Sequence, residues 1–342
     1  MTIKYKNVYL KNWASVTGPY EQKGPLGKKF DKSYDDLYNG ESSWEQAEVK
    51  LLQDSIDILL KKSKLKKDDI DVIVSGDLLN QISSSSYAVL KYDVPFLGVY
   101  SACASNVEGM IIASNMIDSK NIKNVIVSTS SHNMSSEKQF RNPTEYGAPK
   151  PKTATFTATG GASSILTSEK TDIKVEATTI GKVVDMGQND PLNMGAVMAP
   201  AAADTIYRHL KNLNKEPNDY DLIMTGDLGM YGKEILIDYM KMEYGIDISD
   251  NYNDAATMLY SYDTQKEVMA GGSGPVCSAL VMYADVLPKL KKKKFKKVLI
   301  VATGALFSPT FVYQHKNINA IAHAISLEVV EWFILILSCS VV

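Results

Sequence analysis

Two stretches of the sequence, Asp69–Asn80 (DIDVIVSGDLLN) and Asp219–Met230 (DYDLIMTGDLGM), repeat one another and decide the fold. They carry identical Asp, Gly, Asp and Leu residues at matching positions. In each stretch an apolar run with β-branched residues ends in Gly-Asp, which is the pattern of a buried parallel strand. The pair therefore predicts two equivalent strands in two related halves of the chain.

Two further pairs of segments follow in the same order in both halves. Lys123–Ser131 (KNVIVSTSS) resembles Lys296–Gly304 (KKVLIVATG), because both follow a basic stretch and end in small residues. More loosely, Tyr100–Ile117 resembles Ala270–Leu287, since each places a tight small-residue turn before apolar positions at helical spacing. We therefore predict a duplicated βαβ-type unit, with one half in residues 1–170, a second half in residues 171–330, and an apolar tail in residues 331–342.

Predicted helices alternate with these strands. Ser43 and Gln46 resemble a capping box that opens a helix with apolar residues every three to four positions. Another helix is expected to begin near Pro200, because a proline in the first turn has no N–H that the helix needs. The alternation predicts an α/β protein with mostly parallel sheets.

Functional sites in such proteins lie at the carboxyl ends of the strands. Cys103, His132 and Asp227 all follow predicted strands, so we expect them at this edge of the sheets. Cys103 also precedes a predicted helix, whose unpaired N–H groups stabilise a thiolate. The pattern alone is equally typical of a buried structural cysteine.

The bulk composition excludes several classes of function. The 342 residues carry a net charge of −2 and are 45% hydrophobic, which is typical of a soluble globular protein and argues against nucleic acid as a partner. Three cysteines form no framework of pairs and indicate a reducing compartment. The first residues lack the apolar core of a signal peptide, so no secretion is expected.

The apolar segment Trp332–Val342 (WFILILSCSVV) is about half the ~20 residues that a membrane-spanning helix needs. Three interpretations stay open for it. It is a buried last strand, an interfacial anchor, or a tail that is not native to the fold.

Several motifs together resemble a known superfamily. The repeated halves, the cysteine-bearing turn and the glycine-rich turn at Gly271–Pro275 resemble the thiolase-like fold of thiolases and ketoacyl synthases. The segments GPLGKKFDKSYDD, SGDLLNQ, SSHNMSSEKQFRNPTEYGAPKPKTAT, MAPAAADTI, AGGSGPVCSA and VATGALFSPT resemble the stage V sporulation protein AD family of spore-forming bacteria, from about residue 10 to about residue 328. This resemblance implies an α/β/α/β/α layered arrangement and a homodimer.

The sequence departs from the enzymes of this superfamily at the expected catalytic partners. Those enzymes pair the cysteine with two histidines, or with histidine and asparagine, on two loops of the second half. Here Asp227 or Thr225 stands on one loop, and Gly272 or Ser273 stands on the other. None of the histidines falls in either loop; they are His132, His209, His315 and His323. We therefore expect no catalytic residues, and Cys103 marks a vestigial nucleophile position.

The aspartate also opposes ionisation of the thiol. An ionised Asp227 about 4 Å from a forming thiolate would repel it by about 4 kcal/mol at an effective dielectric constant of about 20. That repulsion raises the thiol pKa by about 3, which would cancel the benefit of the helix N-terminus.

The resemblance implies binding of dipicolinic acid, pyridine-2,6-dicarboxylate, for its uptake into the developing spore. It also implies a location inside the forespore, peripheral to the inner membrane, beside the membrane proteins encoded with it. The hypothesis places Cys103, His132, Arg141, Asp227 and Ser273 around the ligand, with no cofactor. Calcium arriving with the ligand would account for an aspartate beside a dianion.

Weaker ligand candidates share the proline-rich loop with Arg141: Tyr146, Lys150 and Lys152. His132 could equally be a histidine satisfied in a turn, and Arg141 a solvated loop arginine.

Two other functions stay open. One is a working acyltransferase in which Cys103 uses His132 or His323 as its base. The other is a structural subunit with a vestigial pocket. The lysine run Lys291–Lys297 is either the solvated end of a helix or a site of attraction to anionic lipid, worth about 1 kcal/mol per basic residue.

Overall fold

The computed structural model describes residues 1–140 and 150–330. Arg141, Tyr146 and the predicted tail 331–342 lie outside the described residues.

The strands and helices alternate along the chain as the sequence predicts. The strands are β1 (Thr2–Lys4), β2 (Tyr9–Thr17), β3 (Lys32–Ser33), β4 (Val72–Gly76), β5 (Phe96–Gly98), β6 (Asn124–Ser131), β7 (Phe156–Thr157), β8 (Gly160–Thr167), β9 (Ile173–Thr179), β10 (Leu222–Thr225), β11 (Tyr252–Asp254), β12 (Gly272–Ser273), β13 (Lys297–Ala305) and β14 (Ala320–Val329). The helices are α1 (Pro19–Gln22), α2 (Trp44–Ser63), α3 (Ser83–Val89), α4 (Ser105–Asp118), α5 (Asn133–Phe140), α6 (Met194–Leu213), α7 (Gly229–Tyr244), α8 (Ala255–Leu259), α9 (Pro275–Val281), α10 (Leu287–Lys291) and α11 (Pro309–Tyr313). A π-helical stretch, Met282–Val286, joins α9 to α10.

The main sheet repeats one topology twice. Its order is β11-β10-β13-β14-β9-β2-β8-β6-β4-β5. When the five strands of each half are numbered along the chain, both halves read third, second, fourth, fifth, first. The first strands, β2 and β9, pair antiparallel and join the halves. The three pairs of repeated segments form β4 and β10, β6 and β13, and α4 and α9–α10, so the predicted strands and helices of the duplication are confirmed. The boundary at residue 170 stays a prediction.

Helices cover both sheet halves and also separate them. Helix α4 contacts β4 and β6 of the first half and β13 and β14 of the second half. Helix α2 covers the other face of the first half, where it contacts β2 and β8, and α6 covers β13 and β14 on the outside of the second half. This order of layers is the predicted α/β/α/β/α arrangement.

The prediction of mostly parallel sheets is wrong. Strands β8 and β14 each run antiparallel to both of their neighbours. The reason is the route of the chain. After β6 or β13 it stays at the edge of the sheet where that strand ends, so β8 or β14 begins at this edge and runs back in the opposite direction. A parallel return would have needed a crossover along the whole sheet.

The helix starts illustrate one confirmed prediction and one wrong one. Ser43 caps α2, because its side chain accepts a hydrogen bond from the Gln46 N–H at 3.3 Å. Helix α6 does not begin near Pro200 but at Met194, so the proline lies inside the helix. Pro200 cannot donate to the carbonyl of Ala196, a loss that burial of the surrounding segment 197–203 outweighs.

Candidate functional site

A cavity of about 310 Å³ lies where the carboxyl ends of the parallel strands of both halves meet. Cys103, Asp227 and Ser273 all line it, so the structure brings these three predicted residues together. Most of the remaining wall is apolar, including Leu78, Phe140, Leu192, Met194, Met198 and Phe307. Both halves thus contribute to one site.

The turn between β5 and α4 presents Cys103 to the cavity. Ala102 adopts a positive φ of 50°, an uncommon conformation for a residue with a Cβ. The Ser105 hydroxyl holds the turn by donating to the Ala102 carbonyl at 2.7 Å and accepting the Ser101 N–H at 3.1 Å. The local geometry therefore fixes the direction of the thiol.

The second half touches this turn directly at Gly304 of β13. A Cβ on Gly304 would lie 2.2 Å from the carbonyl oxygen of Ser101. Only glycine permits the strand and the turn to approach so closely.

Asp227 lies beside Cys103 and is almost completely buried. Its Oδ1 accepts a hydrogen bond from the Thr303 hydroxyl at 2.6 Å, while its backbone N–H donates to the same hydroxyl oxygen at 3.2 Å. Its other oxygen, Oδ2, is buried and has no hydrogen-bond partner of ordinary geometry. Burial raises the pKa of Asp227 to about 7, although the Cys103 thiol and Thr303 favour the charged form.

A second carboxyl group, Asp254, holds the loop that carries Asp227. It accepts the backbone N–H groups of Leu228 at 3.1 Å and Gly229 at 3.0 Å, and the Thr225 hydroxyl at 2.6 Å. Burial raises the pKa of Asp254 as well. Asp227 itself is thus not needed to order its own loop.

The thiol of Cys103 is held in its neutral form. Burial, followed by the charge of Asp227, raises its pKa well above the ordinary value, while the Gly274 N–H acts in the opposite direction. The predicted repulsion by Asp227 is confirmed in direction, but burial contributes more. Because the thiolate is the nucleophile, the thiol is poorly reactive at neutral pH.

The glycine-rich turn brings the Gly274 N–H to this point. Ser273 belongs to β12, which pairs with β7, and Gly274 follows with a φ of 95°. A Cβ on Gly274 would lie 2.7 Å from the Ser131 hydroxyl oxygen. A side chain at this position would thus be strained and would collide with the end of β6.

His132 does not line the cavity, which corrects the prediction that it binds the ligand. Its Nε2 donates to the Leu37 carbonyl at 2.8 Å, and its Nδ1 accepts the Met134 N–H at 3.2 Å. Burial lowers its pKa to about 4. The alternative, a histidine satisfied in a surface turn, is right about the hydrogen bonds but wrong about the surface, because His132 is completely buried.

His323, the other base considered for an acyltransferase, also lies away from the cavity wall. It sits on β14, where its Nδ1 accepts the Gly181 N–H at 3.1 Å. Burial lowers its pKa to about 4. Within the described parts of the chain, no histidine lines the cavity.

The cavity wall is acidic. Asp227 and Glu137 are its charged side chains, and no lysine or arginine of residues 1–140 and 150–330 lines it. Lys150 forms an ion pair with Glu137 at 3.0 Å rather than lining the cavity, and Lys152 does not line it either. Arg141 lies outside the described residues.

The sequence did not identify the contribution of α5. Ser136 and Glu137 both line the cavity, and the Ser136 hydroxyl is buried with no hydrogen-bond partner. The available signal was the polar segment SSHNMSSEKQF directly after a predicted strand end. His132 lies at the start of this segment and does not line the cavity, whereas the side chains one helical turn later do.

Residues 1–140 and 150–330 contain neither a metal-binding cluster nor a membrane-spanning helix. No group of three His, Cys, Asp or Glu side chains there is arranged to hold a metal ion. In the same residues, no helix combines the length and apolar character required to cross a membrane.

Comparison with known proteins gives consistent results. A family model described as Stage V sporulation protein AD matches residues 1–328. The chain is 43% identical over 321 residues to Stage V sporulation protein AD of Bacillus subtilis (strain 168), a match that covers 94% of each.

Solved structures with the same fold are more distant in sequence. A variant of OleA from Xanthomonas campestris is 15% identical, with a TM-score of 0.60 and coverage of 95% of this chain and 99% of that chain. The 3-oxoacyl-(acyl-carrier-protein) synthase III of Aquifex aeolicus VF5 is 11% identical, with a TM-score of 0.56 and coverage of 94% and 99%. Both are thiolase-like, which confirms the predicted fold.

Proposed function

Because the chain belongs to the stage V sporulation protein AD family, we propose that it binds dipicolinic acid without catalysis, for uptake into the developing spore. The observation that carries the proposal is a half-buried thiol that faces an acid, on a cavity wall to which no described histidine contributes. A histidine base at this point would supply about 10²–10⁴ in rate, and no histidine of the described residues lines the cavity.

The cavity suits a small flat ligand. Its volume of about 310 Å³ is at the lower end of the range for ligand sites. The methionine and phenylalanine side chains of the wall would contact the pyridine ring, while Cys103, Asp227, Ser273 and the Gly274 N–H would face polar groups of the ligand.

The charge of the wall bears on the form of the ligand. Ionised Asp227 disfavours a free dianion, and Glu137 is already paired with Lys150, whereas carboxylate oxygens are the usual ligands of calcium. We therefore propose that dipicolinate enters as its calcium chelate, so that calcium is part of the cargo rather than a cofactor.

Isothermal titration at pH 6 and pH 8, with dipicolinate alone and with its calcium chelate, tests this proposal. Affinity for the chelate should rise with pH, because Asp227 ionises near pH 7. Affinity for free dipicolinate should fall over the same interval. Asp227→Asn should abolish both trends, and absence of binding to either form by folded protein would reject the function.

The competing functions give different results in thiol chemistry. A working acyltransferase requires rapid alkylation of Cys103 by iodoacetamide near neutral pH and acyl transfer from acyl-CoA. The proposed function predicts slow alkylation and saturable ligand binding, with Cys103→Ala as the labelling control. A structural subunit would show neither reaction nor binding.

We also propose that the protein is a homodimer that meets its partner through the edge strand β5. Beside this unpaired edge lie exposed apolar side chains, including Leu90 with 75% of its surface exposed and Leu97 with 43%. An exposed apolar edge strand is prone to pair with another chain. Light scattering should show a dimer, and Leu97→Lys should shift it toward monomer.

The proposed location is the forespore interior, at the inner membrane beside the membrane proteins of the same system. Lys291–Lys294 and Lys296 are exposed and could meet anionic lipid. Sedimentation with anionic liposomes across a salt series tests this contact. Binding that does not weaken with salt would exclude the lysines as its cause.

A further inference from the structure

The end of the molecule opposite the cavity is rich in exposed lysines. The cavity lies at the carboxyl ends of the parallel strands, whereas these lysines lie at the amino ends, in or after the last turns of α2, α4, α6 and α10 or in the turns before β2 and β9. We call this surface the lysine face. Its exposed lysines are Lys6, Lys61, Lys62, Lys64, Lys66, Lys67, Lys120, Lys123, Lys170, Lys211, Lys291, Lys292, Lys293, Lys294 and Lys296.

Strand β2 joins two groups of these lysines. Asn12 donates its side-chain amide to the Lys62 carbonyl of α2 at 3.2 Å. Trp13, the next residue, has Lys291 over its ring, with Nζ 5.9 Å from the ring centroid. Because successive residues of a strand face opposite sides of the sheet, the carboxyl ends of α2 and α10 flank the same strand.

The turn between β8 and β9 connects the lysines of the two halves. The Ser168 N–H in this turn donates to the Lys123 carbonyl at 3.0 Å, next to the start of β6. A surface cleft lies beside the same turn, between the starts of β2, β9 and β13. Its lysines are Lys6, Lys170, Lys174, Lys296 and Lys297. The lysine face therefore spans both halves.

The acids of this end do not cancel its positive charge. Asp71 accepts two backbone N–H groups at the start of β6, both at 2.8 Å, and Asp221 accepts two at the start of β13, at 2.6 and 2.9 Å. These carboxylates therefore serve the backbone. The exposed acids of this end are fewer than the lysines: Asp68, Asp69, Asp71, Asp118, Glu169, Asp172, Glu216, Asp219 and Asp221. The face is basic although the whole chain carries a net charge of −2.

A membrane surface fits this composition better than a protein or a nucleic acid. Lysine is depleted in protein–protein interfaces, which are built around aromatic residues and arginine. The exposed aromatic residues of the described chain belong to other segments: Tyr38, Tyr87, Tyr100, Phe311 and Tyr313. The net charge of the chain argues against nucleic acid. Anionic lipid headgroups, in contrast, attract a broad basic face that has no fitted pocket.

We infer that the lysine face docks on a membrane surface rich in anionic lipid, so that the end of the molecule with the cavity points away from the membrane. The inference rests on the proposed membrane location and extends the contact from the run Lys291–Lys297 to both halves. The docked protein then exchanges its ligand with the aqueous phase rather than with the bilayer.

Co-sedimentation with vesicles of phosphatidylglycerol and phosphatidylcholine, or of phosphatidylcholine alone, tests the docking at low salt. One triple variant changes the face in the first half: Lys61→Gln, Lys66→Gln and Lys67→Gln. A second changes it in the second half: Lys292→Gln, Lys293→Gln and Lys294→Gln. The matched control removes the same charge from exposed lysines outside the face: Lys152→Gln, Lys266→Gln and Lys316→Gln.

Each of the two face variants should bind the anionic vesicles about a hundredfold more weakly, since each basic residue near an anionic surface contributes about fivefold in affinity. The control should lose less than fivefold, and neutral vesicles should not bind wild type. Equal weakening by the control, or equal binding to neutral vesicles, would overturn the inference.

Lysine acetylation of vesicle-bound wild type, read by mass spectrometry, tests the orientation. Lys66 and Lys292 should react several-fold more slowly than in free protein, and Lys316 at an unchanged rate. Protection of Lys316 instead would overturn the orientation.

The outcomes also separate this inference from the proposed function. Weakening by the second-half variant alone would confine the contact to the lysine run and overturn the extended face, while the membrane location stands. Absence of binding to anionic vesicles would overturn the face and the location. Dipicolinate binding is measured without vesicles, so its presence or absence is independent of both.

Discussion

The two aspartates of the repeated motif, Asp77 after β4 and Asp227 after β10, occupy equivalent positions in the two halves but have different hydrogen-bond partners. Asp77 has both oxygens occupied, by the Leu79 N–H at 2.8 Å and the Ser85 N–H at 2.7 Å. Asp227 has one oxygen bonded to Thr303, and its carboxyl group also contacts the Cys103 thiol.

The difference depends on Asp254. In the second half this residue accepts the backbone N–H groups that follow Asp227, so the loop is ordered without Asp227. The two halves thus hold one buried acid each, and in the second half a supporting acid takes over the ordering of the loop, so that Asp227 is available to contact Cys103.

The largest expected effect is the loss of that support. Asp254→Ala should lower the free energy of unfolding by about 4 kcal/mol, because it leaves several buried donors unpaired, including the N–H groups of Leu228 and Gly229. Urea denaturation measures the loss. If stability changes by less than about 1 kcal/mol, Asp254 does not hold the loop. It then cannot explain the difference between Asp77 and Asp227.

Asp77→Ala should lower the free energy of unfolding by about 3 kcal/mol, since two buried N–H groups lose their acceptor. Asp227→Ala, its counterpart, should change stability by about 1 kcal/mol or less, because only the Thr303 hydroxyl loses a partner and it can rotate. Parallel denaturation curves compare the two. Equal losses would show that both copies are structural.

Buried acids should also make stability depend on pH, mainly through the first half. Burial, and then the charge of Asp77, raises the pKa of Glu48 to about 8, while burial raises the pKa of Glu21 to about 7. The folded state therefore retains protons that the unfolded chain has lost above about pH 4.5. Stability should fall as the pH rises toward 8, by about 4 kcal/mol between pH 6 and pH 8.5.

Glu48→Gln provides the control for this pH dependence. The variant should flatten most of the slope in denaturation experiments at the two pH values, because its amide does not titrate. An unchanged slope would place the titrating group elsewhere, for example at Glu21 or Asp227.

The last expected effect is a pKa shift rather than a loss of stability, and it concerns the hydroxyl that orients Asp227. Thr303→Val removes the donor at 2.6 Å, so the pKa of Asp227 should rise by about one unit, equivalent to about 1.4 kcal/mol. The midpoint of the pH dependence of ligand affinity should move upward with it. Thr303→Ser keeps the hydroxyl and should retain the wild-type midpoint, whereas a shift in both variants would point to a packing effect.

Strand patterns predicted the repeated strands and placed Cys103, His132 and Asp227 at one edge of the sheets, whereas Ser273 was added by the family resemblance. They could not predict which way His132 turns. That side chain is captured by the Leu37 carbonyl, a contact between residues far apart in the chain. The return direction of β8 and β14 likewise depends on where the chain re-enters the sheet, which local periodicity does not encode.

The contact between Gly304 and the carbonyl of Ser101 has an evolutionary consequence. A strand of one half fits against the cysteine turn of the other with no space for even a methyl group. After the ancestral gene was duplicated, neither half could change its shape at this contact without a matching change in the other half. The two halves are therefore inherited as a single selectable unit, and each should aggregate if expressed alone.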